Sequence, residues 1–69
     1  MTIKMNSVAS TSISEIGYRR RTMQVKFNSG RTYEFRKVPR AVYDNFALSN
    51  SKGEFFNNNI RGAYLEKEV

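Results

Sequence analysis

Thr22-Met23-Gln24-Val25-Lys26-Phe27-Asn28-Ser29-Gly30-Arg31-Thr32-Tyr33-Glu34-Phe35-Arg36 decides the fold. Apolar and polar residues alternate on both sides of a short polar interruption, the pattern of strands with one buried and one wet face. The register fixes the turn. A two-residue loop, Ser29-Gly30, sets Phe27 against Thr32 and Val25 against Glu34, which mixes apolar and polar residues on the core face. A three-residue loop, Asn28-Ser29-Gly30, sets Val25 against Tyr33 and Met23 against Phe35, so both strands turn their apolar residues the same way. It also leaves Gly30 at the last loop position, where such hairpins need a left-handed residue. The other face then pairs Gln24 with Glu34 and Lys26 with Thr32, and Thr22 lies opposite Arg36.

Toward the N-terminus, Ile13, Ile16 and Tyr18 mark a preceding strand, in strict alternation only from Ile16 to Tyr18. A turn near Arg20-Arg21 pairs Tyr18 with Met23 and Ile16 with Val25, and brings Glu15 opposite Lys26, a favourable charge pair. Earlier residues are polar and rich in Ser and Thr, and the start of the chain is expected to be loose.

After Arg36 the period changes. Pro39 suits the first turn of a helix, and Val42, Tyr43, Phe46 and Ala47 fall on one helical face. Ser49-Asn50-Ser51 breaks it. Ser51 with Glu54 has the form of a capping box for a second helix, whose apolar face is Phe56, Ile60, Ala63 and Tyr64. Asn57-Asn58-Asn59 weakens it, so one helix or two short helical turns fit the segment. Of Phe55 and Phe56, which are adjacent, one packs inward. Leu65 to Val69 is read as extending the last helix or fraying. The chain is thus expected to be a single α+β domain over 1–69, ordered over about 8–64. Its architecture is a three-stranded antiparallel meander followed by two short helices packed on one face.

The 69 residues leave room for one marginal core; below about 70–80 residues such cores contribute about 3–5 kcal/mol net. With no Cys and no His, disulfides, thiolate metal sites and the usual general base at neutral pH are excluded. Five Phe and four Tyr are the main core resource. No apolar run approaches the roughly 20 residues that span a bilayer, and the start lacks the form of a secretory signal; a cytoplasmic protein with no membrane partner is expected.

Catalysis is not expected. Ser12, Ser14, Ser49 and Ser51 have no histidine partner, the carboxylates are scattered, and the four glycines form no phosphate-cradling loop. No cofactor is implied. The charge is more informative: twelve Lys and Arg against six Asp and Glu give +6, which favours anionic partners. The register gathers Arg19, Arg20 and Arg21 at the first hairpin tip and Arg36, Lys37 and Arg40 at the exit of the third strand, all at one end of the sheet with no acid among them. Arginine suits phosphate because its planar fork donates two parallel hydrogen bonds. A solvated rim that keeps an edge strand from aggregating is the bland counterpart. Tyr18, Phe27, Tyr33 and Phe35 are assigned to the core, and the wet face offers no aromatic on which bases could stack.

The ordered set Ser12-Ile13, Ile16-Gly17-Tyr18, Val25-x-Phe27, Ser29-Gly30, Tyr33-x-Phe35, Val38-Pro39, Val42-Tyr43, Ser51-x-Gly53, Phe55-Phe56-Asn57, Ile60-Arg61 and Tyr64 resembles the KTSC domain. That family is found at the C-terminus of some lysyl-tRNA synthetases and as short free-standing bacterial and phage proteins. The resemblance spans Val8 to Tyr64 and implies the same small α+β fold; the attachment to a tRNA synthetase hints at RNA. One departure is the first hairpin: the family's connection there is longer and less basic, so any role of Arg19, Arg20 and Arg21 is particular to this chain.

These readings converge on a small basic binding module that contacts the nucleic-acid backbone, RNA above all, through electrostatics. The alternative is a protein-interaction module, docking an acidic protein or adding a partner's strand at an open edge of the first or third strand. It would be a monomer or a weak edge-to-edge homodimer.

Overall fold

The structure, a computed structural model, describes residues 3–69. Met1 and Thr2, part of the start expected to be loose, lie outside the described residues.

The meander forms as its alternation dictates. β1 (Asn6–Ser7), β2 (Ile13–Arg19), β3 (Thr22–Phe27), β4 (Thr32–Phe35) and β5 (Glu66–Glu68) make an antiparallel sheet in chain order. The three-residue turn holds: the Phe27 N–H donates to the Arg31 carbonyl at 2.9 Å, and Gly30 takes φ +96°. Met23 pairs with Phe35, Val25 with Tyr33, Gln24 with Glu34 and Lys26 with Thr32. The ladder stops there, one step short of the expected Thr22–Arg36 pair. Tyr18 pairs with Met23, Ile16 with Val25 and Glu15 with Lys26. A bulge between Ile13 and Glu15 shifts the register, which is why alternation fails there while Ile13 still reaches the core.

The sheet has five strands, not the three expected. Asn6 and Ser7 pair with Ile16 and Glu15, and Glu66, Lys67 and Glu68 pair with Phe35, Glu34 and Tyr33. The tail therefore neither extends a helix nor frays. After Ile60 the chain reverses through Gly62 at φ +77° and returns along β4, where Lys67 faces Glu34. Glu and Lys are poor strand formers; an available neighbour decided the outcome. Strand addition at the outer edge of β4, or of β2 along Glu15 and Ile16, therefore meets a site already taken.

One face of the sheet carries the helices. α1 (Arg40–Leu48) begins one residue after Pro39, which is the N-cap. α2 (Lys52–Phe55) runs straight into a π-helical turn, Phe56–Ile60, closed by a bond of 2.9 Å from the Arg61 N–H to the Phe56 carbonyl. The expected Ser51–Glu54 capping box is not formed; Ser51 makes no side-chain cap bond, and its N–H donates to the Ser49 hydroxyl. Ile13, Ile16, Met23, Val25, Phe35, Val38, Phe46, Phe56 and Ile60 form the core. Phe56 meets the rings of Phe27 and Phe35 edge-on, while Phe55 stacks on Phe46 and is only half-buried. Ala47 and Ala63, expected on the packed faces, are exposed, and Tyr64 is half-buried.

The other face is not simply wet. The N-terminal arm crosses it over Gly17, which is buried together with Ile3.

Candidate nucleic-acid interface

β2 and β3 join through the two residues Arg20 and Arg21, at φ +49° and +66°. Two-residue loops with both φ values positive match the strand twist, and Asn-Gly is their usual sequence. Arginine there costs about 1–2 kcal/mol per residue, because Cβ crowds the carbonyl. Beyond β4, Lys37 adopts φ +59° as well. Thus three basic residues occupy left-handed backbone at one end of the sheet. The Val38 N–H donates to the Arg21 carbonyl at 2.8 Å and ties the hairpin tip to the Lys37 turn.

Tyr18 anchors the same end. Its hydroxyl donates to the Val38 carbonyl at 2.6 Å, and its ring stacks on Tyr43 with centroids 5.0 Å apart. The Arg40 guanidinium lies 5.5 Å from the Tyr18 ring centroid. Arg19 and Arg36 line a shared hollow of about 330 Å³ on the face away from the helices, with Thr22, Glu34 and Ile3.

The structure therefore brings the hairpin arginines and the Arg36–Arg40 segment together. It corrects one detail: acids are present. Glu34 binds Arg36 at 3.2 Å and Asp44 binds Arg40 at 3.1 Å. Arg19, Arg20, Arg21 and Lys37 have no ion-pair partner among the described residues. The Gln24 amide donates to Glu34 at 3.2 Å; that bond first, then Arg36, holds the Glu34 carboxyl below its ordinary value of 4.5.

A second feature carries no signal in the alternation. At the opposite end of the sheet, beside the Gly30 turn, the helices leave part of the aromatic face open. Phe27 and Tyr33, backed by the buried Phe35 and Phe56, line a groove of about 450 Å³ edged by Arg31, Arg61 and Glu66. Phe27 and Tyr33 are half-buried and meet edge-on at 5.8 Å. The π-helical turn sets Phe56 and Arg61 here, with the guanidinium 5.7 Å from the ring centroid. Alternation assigns these rings to the covered face; that the cover ends before the turn is a matter of helix length, which alternation does not carry. A wider polar depression between 9–12 and 50–58 offers less, since the Lys52 ammonium is already bound to the Ser49 carbonyl at 2.8 Å. No helix of the described residues is long and apolar enough to cross a membrane.

Fold and charge together define a small α+β module: a meander backed by short helices, with a cationic tip. Residues 9–64 match the KTSC domain. The chain belongs to the KTSC domain family. It is 35% identical over 59 residues to a lysine–tRNA ligase from Nostoc punctiforme, covering 83% of this chain and 10% of that protein. The chain thus spans only about a tenth of that relative's length. Its fold is similar to the crystal structure of a KTSC domain protein from Yersinia pestis, with 31% identity, 99% of each chain covered and a TM-score of 0.95.

Proposed function

We propose that this protein is a non-enzymatic module that binds nucleic acid, RNA in the first place, by gripping backbone phosphates with Arg19, Arg20, Arg21, Arg36, Lys37 and Arg40. The observation that carries the reading is the left-handed backbone at Arg20, Arg21 and Lys37. A hairpin selected for stability would place Asn or Gly there. Arginine placed there at a conformational cost points to a use for the side chains. The similarity to a region of a lysine–tRNA ligase supports RNA over DNA. Base edges have no part in this mode, so sequence preference is weak.

A fluorescence titration of single-stranded RNA, duplex RNA and duplex DNA at several salt concentrations tests it. The wild type binds RNA at micromolar or tighter affinity near physiological salt. In the triple variant Arg19→Ala, Arg20→Ala, Arg21→Ala, the slope of log affinity against log salt falls by up to roughly 2, at about 0.7 per lost phosphate contact on a single strand. A paired variant, Arg20→Asn with Arg21→Gly, relieves the turn: it melts at or above the wild-type temperature and still loses affinity. Binding that ignores the arginines, or is absent at physiological salt, sinks the reading and leaves an acidic protein as the partner for this end.

A further inference from the structure

We propose that the aromatic groove beside the Gly30 turn receives one unstacked nucleobase of a single strand whose phosphates lie on Arg31 and Arg61. The inference rests on the nucleic-acid reading and adds single-strand selectivity to it. Phe27 and Tyr33 present half-buried rings at the sheet end, and Phe56 closes the floor behind them. Sequence-specific RNA recognition takes unstacked bases onto such rings. The groove's volume of about 450 Å³ lies within the roughly 300–1,000 Å³ of ligand pockets. Its edge carries two guanidinium groups suited to a phosphate, and the Glu66 carboxylate can accept from an exocyclic amine, as carboxylates do from cytosine. The π-type bond from the Arg61 N–H to the Phe56 carbonyl sets the Arg61 backbone beside the aromatic floor, and its guanidinium lies 5.7 Å from the Phe56 ring centroid. The groove opens at the Gly30 turn and reaches Phe35 and Glu66, which pair one residue before Arg36, so it runs along β4 to the border of the cationic tip. One strand of RNA can therefore engage both, and each can be tested without the other.

The experiment follows the ring signals of Phe27, Tyr33 and Phe56 by NMR, with binding measured in parallel. The probes are a cytidine hexanucleotide, an abasic hexamer of the same backbone and cytidine 5′-monophosphate. Cytidine is chosen because it carries an amine for Glu66 and stacks weakly on itself. The cytidine hexamer moves the three ring signals. The abasic hexamer does not, and binds about 5- to 100-fold more weakly, the loss of one stacked base. The surface variant Arg31→Gln with Arg61→Gln weakens both hexamers, the cytidine hexamer by the larger factor, since only its base holds the strand against the groove. If both hexamers bind alike and perturb only 19–21 and 36–40, the groove proposal is overturned and the phosphate reading stands. If neither hexamer binds, the phosphate reading and the groove proposal both fall, and ring shifts from millimolar cytidine 5′-monophosphate do not restore recognition of a strand. Equal ring shifts from a short acidic peptide overturn base recognition.

Discussion

Gly17 lies where the N-terminal arm crosses the sheet. A Cβ added there would stand 2.6 Å from the Lys4 carbonyl oxygen, 2.7 Å from Ile3 Cγ2 and 2.8 Å from Met5 Sδ. The first of these is backbone and cannot swing aside, so Gly17→Ala lifts the arm. Release of Ile3 forfeits apolar burial worth about 1.5–3 kcal/mol at most. A loss of about 1–2 kcal/mol is expected, with melting lowered by about 4–8 °C per kcal/mol in a domain this small. Amide exchange checks it: 3–7 lose protection while β3 keeps its own. In the sequence Gly17 reads only as a residue inside a strand, because the partner that requires it sits in a segment whose pattern says nothing. The three left-handed cations are hidden likewise, since Arg-Arg carries no turn signal of the kind Asn-Gly does. Gly30 was legible because register left one loop length and glycine stood at its end.

At the scale of elements, strands whose apolar residues alternate could be paired residue by residue. The two outer strands could not be read, since Asn6–Ser7 and Glu66–Glu68 have no apolar face to bury and form by completing a neighbour's hydrogen bonds. The helical half was legible as a face, not as geometry. Asn57-Asn58-Asn59 marked weak helix, and the structure resolves it into a π-helical turn that aims Phe56 at the sheet. Phe56 touches Phe27 and Phe35, so Phe56→Ala removes the bond between layers and costs about 3–5 kcal/mol. In a domain with a core of this size that largely abolishes the folded state. A variant that melts within a few degrees of wild type would remove Phe56 from the core. The cationic tip was legible because register placed two separated basic runs at one end; the aromatic groove was not, because it depends on where the helical cover stops.

At the scale of the whole molecule, charge sets both solubility and the acid limit. The formal charge is 12 − 6 = +6, and it climbs toward +12 as the six carboxylates protonate. Repulsion among the cations then grows. Glu34 adds a specific contribution. Its folded carboxyl titrates below its unfolded value, so the folded state binds fewer protons, and the stability it supplies is complete above about pH 4.5 and is lost as pH falls through the folded value. Glu34→Gln removes that contribution. The variant is expected to be less stable than wild type near neutrality, with the difference narrowing as pH falls below about 4.5. Denaturant midpoints measured across this range check it; a constant difference would assign the loss to packing.

Consecutive strands of the sheet lie side by side, so β1 and β5 stand at opposite edges. A pull on β5 alone therefore crosses to β4 through their shared hydrogen bonds. That outer rung can part like a zip while β2, β3 and β4 keep the pairing that holds the cationic tip together.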